Sequence, residues 1–221
     1  MKKILIYSLL FGIFGISYGQ GFISQADSLK NEGLLMPALQ KHYESLAQNS
    51  SIETHYEMAS IYALLWTAQA RDSAFVYLNY ALKKDSTLKV LYDPSFLSLI
   101  EDKRWKKIED SQLEKYETEN KSIRNKNYAR ELFRMIIKDQ GFMYTGNIER
   151  KKYMQNGGYF STPTIYPVLA IEEKNHKENI EKLLKLLDKN GWPTASQVTE
   201  IAAAGAALII NHTNYDIRSK Y

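Results

Sequence analysis

Five polar residues stand out because helical spacing turns them toward apolar faces. Asp139 and Gln140 close a stripe of Ala129, Leu132, Phe133, Ile136 and Ile137. His176 and Asn179 precede a run of Ile180, Leu183, Leu184 and Leu187, and His212 follows Leu208 and Ile209 by four and three positions. At about 100° per residue, Gln140 falls in the middle of the first face, Asp139 at its border, and His176 and His212 on the inner sides of theirs. Each of three helices thus carries polar groups to a shared core, where such groups must be hydrogen-bonded. The chemistry this allows is an Asp–His pair, Asp139 with His212, in which the carboxylate orients the imidazole as a general base. Gln140, His176 and Asn179 are the accompanying binding candidates. The plainer reading is a set of satisfied helix-end groups packing against loops. No nucleophile motif accompanies the pair: Ser161 and Ser196 have no diagnostic surroundings. Gly141, Gly146 and Gly157 do not form a phosphate loop. His42, His55, His176 and His212 are scattered without a paired ligand spacing. No metal and no cofactor is therefore expected, although three helical faces can converge without any sequence spacing.

These residues need helices to position them. Low Gly and Pro content favours an all-α fold, because the turns of a β architecture consume those residues. In the second half, three helices are expected. Gly141 ends the first, and Asn190-Gly191 followed by Pro193 stops the second. Thr194 with Gln197 forms a capping box for the third, whose inner stripe is Val198, Ile201, Ala202, Gly205, Leu208 and Ile209. Gly205 would allow close helix contact. Residues 144–166, with Gly146, Gly157, Gly158 and Pro163, read as a long irregular loop of the kind often tied to function.

In the first half, Phe22–Lys30 and Met36–Ala47 read as two short helices separated by Gly33, with a polar break at Asn49, Ser50 and Ser51. Tyr56, Ala59, Tyr62 or Ala63, and Trp66 recur at helical spacing. Asp72 would cap the next helix, whose stripe is Ala74, Phe75, Leu78, Ala81 and Leu82. Large aromatics on one helix opposite small residues on the next resemble the tetratricopeptide repeat, whose second-helix pattern the Ala74, Leu78, Ala81 spacing matches. The first helix lacks the family's Leu-Gly pair, and the turn around Gln69–Arg71 looks lengthened. The resemblance implies stacked helix pairs and a groove beside Tyr56, Tyr62 and Tyr77 for a protein or peptide partner. Asp93-Pro94-Ser95-Phe96, with Leu99, Asp102, Trp105 and Ile108, is similar to the capping tail that follows such repeats. Residues 109–121 are charged and lack an apolar stripe, so the domain boundary is expected there.

The chain opens with Lys2 and Lys3, then an uncharged apolar run over Ile4–Ser17, then Ser17 and Gly19 as small residues before Gln20. This is the pattern of a cleaved secretory leader, and the run is shorter than the about 20 residues that span a bilayer. The expected organisation is a signal peptide at 1–19, a helical-repeat region at 20–120 and a small helical domain at 121–221, exported to a periplasm or the exterior, with no membrane span after cleavage. There is no cysteine, which excludes disulfides and thiol chemistry. Once Lys2 and Lys3 leave, 27 basic residues face 25 acidic ones, a net charge of +2. The mixed charges give no basic face for nucleic acid.

Residues 128–214 resemble an uncharacterised bacterial helical domain family of unknown function. The carrying residues are Asp139-Gln140, Asn179 before the leucine run, Gly191-Trp192-Pro193 with Ser196, and the Ala-rich helix ending at His212. The family pattern has an Arg four places after the Gln, where this chain has Tyr144. It has acidic residues where His176 and Asn214 stand, and a further C-terminal motif not found here. If the family is enzymatic, those departures imply a degenerate or binding-only relative. The sequence therefore reads first as a non-enzymatic protein- or peptide-binding module of the cell envelope. The alternative is a hydrolase-like enzyme using Asp139 and His212 in a helical pocket, and the separation of those two residues discriminates between them.

Overall fold

The computed structural model describes residues 24–120, 122–158, 163 and 165–221. The expected leader and Phe22 lie outside the described residues. Every regular element among those described is helical, and none of these helices is long and apolar enough to cross a membrane. The described residues divide into two compact units, one up to residue 84 and one from residue 85 onward.

In the first unit, a helix over residues 24–31 (α1) is followed by α2 (Leu35–Gln48), α3 (Ile52–Leu64) and α4 (Ala68–Ala81). Gly33 takes a positive φ between α1 and α2, where only Gly is unstrained. Ser51 caps α3 by accepting from Thr54 N. The α4 cap is Thr67, which accepts from Ala70 N, and not Asp72. The turn is therefore short, and Gln69–Arg71 is already helical. The expected stripe Ala74, Phe75, Leu78, Ala81 and Leu82 is buried. Ala38, Leu39, Met58 and Ile61 form the adjoining core, with Tyr62 and Tyr77 packed on it. His42 is buried there with neither ring nitrogen hydrogen-bonded, and burial pushes its pKa below the ordinary imidazole value.

The second unit begins far ahead of residue 120. It contains α5 (Lys89–Tyr92), a 3₁₀ turn (Pro94–Phe96) capped by Asp93, and α6 (Lys103–Glu119) capped by Asp102. Phe96, Leu99, Trp105 and Ile108 are buried as their spacing requires. Residues 109–119 are no connector. α6 buries Glu109, Gln112 and Leu113. Glu109 accepts two hydrogen bonds from Arg134, at 2.6 and 2.9 Å, and lies 3.4 Å from Arg130. The Gln112 amide donates to the carbonyls of Asp85 and Thr87. A charged-looking surface thus hides a polar seam whose partners lie elsewhere in sequence.

α7 (Lys126–Gln140) is the axis of this unit and packs against α9 (Ile165–Asn190) and α11 (Glu200–Asn211). The expected loop at 144–166 is largely helical: α8 spans Met143–Gln155, and Pro167 sits in the first turn of α9, where no intrahelical N–H is needed. Thr194 and Gln197 do not box the main third helix. They belong to the short α10 (Ala195–Val198), and Thr199, at φ 104°, ends α10 and caps α11 through Ala202 N. Restarting the helix there rotates its stripe. Ala202, Gly205, Ala206 and Ile209 are buried, while Ile201 is exposed. A short tail helix, α12 (Tyr215–Arg218), follows.

Candidate functional site

The register of three helices decides where the polar residues meet. α9 runs antiparallel to α7. Near one end, Tyr128 Oη donates to Gly191 O and Asn125 Nδ2 to Asn190 Oδ1. Near the other, Asn179 Nδ2 donates to Met135 O at 3.0 Å and Asn175 Nδ2 to Lys138 O at 3.3 Å. α11 runs the same way as α7. Asn125 N bonds Gln197 O at its start, and Gly205 lies against Ile136 further along. The C-terminal ends of α7 and α11 and the N-terminal half of α9 therefore share one end of the bundle.

Asp139, His176 and His212 converge there. The Asp139 side chain is only 1% exposed, whereas His176 and His212 are 30% and 37% exposed. His212 Nδ1 is 2.9 Å from Asp139 Oδ1, and His176 Nε2 is 3.3 Å from the same oxygen. The two rings stand 5.3 Å apart at 41°. Asp139 Oδ2 accepts from the Gln140 amide. With the carboxylate ionised it can only accept, so Nδ1 of His212 donates and the lone pair of the neutral ring lies on Nε2. His176 Nε2 is buried and makes no hydrogen bond despite its proximity to Asp139. The site is a carboxylate floor with two imidazoles at its rim.

Sequence periodicity brings Asp139, Gln140, His176 and His212 to one place, as drawn from their helical faces. Asn179 is beside them but does not face the carboxylate. Its buried amide holds α9 on α7, and that makes it a positioning residue. Asn175 has the same role and was not singled out by its spacing. Although no metal is expected from spacing, one ligand atom from each of Asp139, His176 and His212 lies within 4.8 Å of the other two.

The tyrosines of the first unit behave differently from one another. Tyr56 is buried and does not line a groove. Tyr62 and Tyr77 stack 5.6 Å apart, and Tyr43 hydrogen-bonds to both hydroxyls. Burial, with the Tyr43 hydrogen bond, pushes the Tyr62 phenol up to about 12, and the same causes raise Tyr77. Tyr43 and Tyr80 are the exposed members of this cluster, and His55 packs beside Tyr77 and Tyr80.

Compared with protein-family models, curated proteins and solved structures, the chain gives no match.

Proposed function

We propose that the second unit is a hydrolase-like enzyme site, with Asp139 orienting His212 for proton transfer. The observation that carries the reading is the 2.9 Å contact between a buried carboxylate and a partly exposed imidazole. Catalysis of this kind needs base and orienter within hydrogen-bond reach. In the step this allows, Nε2 of His212 takes a proton from water as the water oxygen bonds to an ester-like centre. The departing group then takes that proton from the imidazolium. The tests are turnover of a panel of carboxylic and phosphoric esters by the full chain, and the pH profile of His212→Gln and Asp139→Asn. Loss of turnover of about a hundredfold or more in His212→Gln is expected. Turnover indifferent to both substitutions would refute the reading.

A second reading concerns the first unit, as a protein- or peptide-binding module of an exported protein. Its support is the exposure of Tyr43 and Tyr80 beside the stacked Tyr62–Tyr77 pair, since Tyr gives amphipathic contact area at low entropy cost. The leader-like start over residues 1–19 is what favours export. Secretion of the full chain with Gln20 as its new N-terminus tests that part of the reading, and retention of the leader in the cytosol would end it.

A further inference from the structure

We infer that Asp139, His176 and His212 form a binding site for one divalent transition-metal ion of the zinc class. The inference rests on the same cluster as the hydrolase reading but assigns its three side chains as metal ligands, the ion displacing the proton that His212 Nδ1 otherwise donates to Asp139.

Four observations carry it. First, the spacing of each imidazole nitrogen from the carboxylate oxygen fits. Ligand atoms about 2.05 Å from an ion stand about 2.9 Å apart on an octahedral edge and about 3.3 Å apart on a tetrahedral one. The two nitrogens lie 2.9 and 3.3 Å from Asp139 Oδ1, and all three ligand atoms lie within 4.8 Å of one another. Second, His176 Nε2 is a buried ring nitrogen with no hydrogen bond, close to the same carboxylate oxygen. A buried ring nitrogen without a hydrogen-bond partner is one that a metal ion can take up. Third, the charge is one-sided. A carboxylate 1% exposed sits where α7 and α11 both end. Helix C-termini carry partial negative charge and favour a cation. Fourth, the supports are those a metal site needs. The Gln140 amide occupies Oδ2 and leaves Oδ1 facing the imidazoles, while Asn175 and Asn179 fix the α9 register that aims His176.

Two imidazoles and one carboxylate select zinc-class ions over Ca²⁺ or Mg²⁺, which take oxygen ligands. Three protein ligands fall one short of the four of a closed zinc site, and the partly exposed imidazole rings put the cluster near the surface. That is the pattern of a catalytic and not a structural zinc site.

The test uses the full chain, stripped with a chelator and titrated with Zn²⁺ by calorimetry and with Co²⁺ by visible absorption. One ion per chain is expected, with a Co²⁺ spectrum of four- or five-coordinate intensity and a rise in melting temperature that chelator reverses. Asp139→Asn, His176→Gln and His212→Gln should each weaken Zn²⁺ binding by about a hundredfold or more, and Gln140→Ala by about tenfold to a hundredfold. His55→Gln, in the other unit, should bind as the wild type. The wild-type Co²⁺ spectrum does not depend on any variant folding. Absence of that spectrum together with no stoichiometric Zn²⁺ binding overturns the inference, as does binding unchanged in all three ligand variants. Ester turnover by a chain that takes up no Zn²⁺ in the titration would overturn the metal site and leave the Asp139–His212 reading standing. Stoichiometric Zn²⁺ binding without turnover of any ester would support the metal site and remove the hydrolase reading.

Discussion

Gly205→Ala tests whether α7 and α11 are as close as the site requires. A Cβ added at Gly205 would lie 2.5 Å from Ile136 Cδ1 and 2.6 Å from Ile136 Cγ1, with Leu132 O at 3.7 Å. Ordinary carbon contacts are about 3.5–4.0 Å, so the helices must separate by about 1 Å or Ile136 must leave its rotamer. Overpacking of this kind costs about 1–3 kcal/mol. Replacing a mid-helix Gly with Ala returns up to about 1 kcal/mol of helix propensity. The net expectation is a loss of about 1–2 kcal/mol, or a melting temperature lower by about 3–8 °C. Gly146→Ala is the matched control, because its Cβ would meet nothing within 4 Å in α8. It should gain about 0.5–1 kcal/mol. The functional consequence is at His212, seven residues further along the same chain. If α11 moves out by about 1 Å, its 2.9 Å contact with Asp139 leaves hydrogen-bond range. Urea unfolding followed by circular dichroism gives the stabilities, and the imidazole NMR signals of His212 report its partner. A Gly205→Ala protein as stable as the wild type, with His212 unshifted, would refute the close packing and the argument built on it.

Three further outcomes follow from particular contacts. Glu109→Gln removes the carboxylate from two guanidiniums and should cost about 2–3 kcal/mol in urea unfolding, less than the about 3–5 of a fully buried pair because Arg130 and Arg134 are partly exposed. His42 is neutral-favouring in the folded chain, with its pKa below the 6.5 it has when unfolded. The unfolded state then binds more protons as pH falls through about 6.5, so the wild type should lose stability below that pH. His42→Leu should flatten the fall between about pH 7.5 and about pH 5 in thermal melts, an unchanged pH dependence counting against it. Asn179→Ala deletes the amide that reaches Met135 O and should cost about 1–2 kcal/mol. It should also weaken Zn²⁺ binding without touching any ligand atom.

Periodicity made much of this architecture legible. The stripes Ala129–Ile137 and Ala74–Leu82 are oily at steps of three and four, and the core uses them as such. The convergence of Asp139, His176 and His212 was readable for the same reason, since each sits at a stripe's end. What spacing could not carry was the partner of a polar residue. Glu109 looks like surface charge until Arg130 and Arg134 are brought beside it from a helix one turn-region later. The α11 start at Thr199 was also hidden, because a β-branched residue at φ 104° breaks the usual preference and overrides the plausible cap at Thr194. Tyr56 shows the converse failure: the repeat resemblance placed it beside a groove, and packing buried it.

Two buried carboxylates in the second unit are compensated in different ways. Glu109 is 2% exposed and Asp139 3%, so both must be compensated or neutralised to be tolerated. Glu109 meets two guanidiniums that stay charged at any physiological pH, one of them through paired hydrogen bonds. Its charge is balanced by the chain itself and at every moment. Asp139 meets an amide and two imidazoles, groups whose positive charge is conditional. Packing alone gives no reason to place a carboxylate there at the closing ends of two helices, where an apolar side chain would be cheaper. In the two readings proposed above, the balancing positive charge is a proton on His212 or a metal ion shared by all three side chains. Either would be a chemical event at the rim of the cluster, and that is why the site is proposed here and not at the better-paired Glu109 seam.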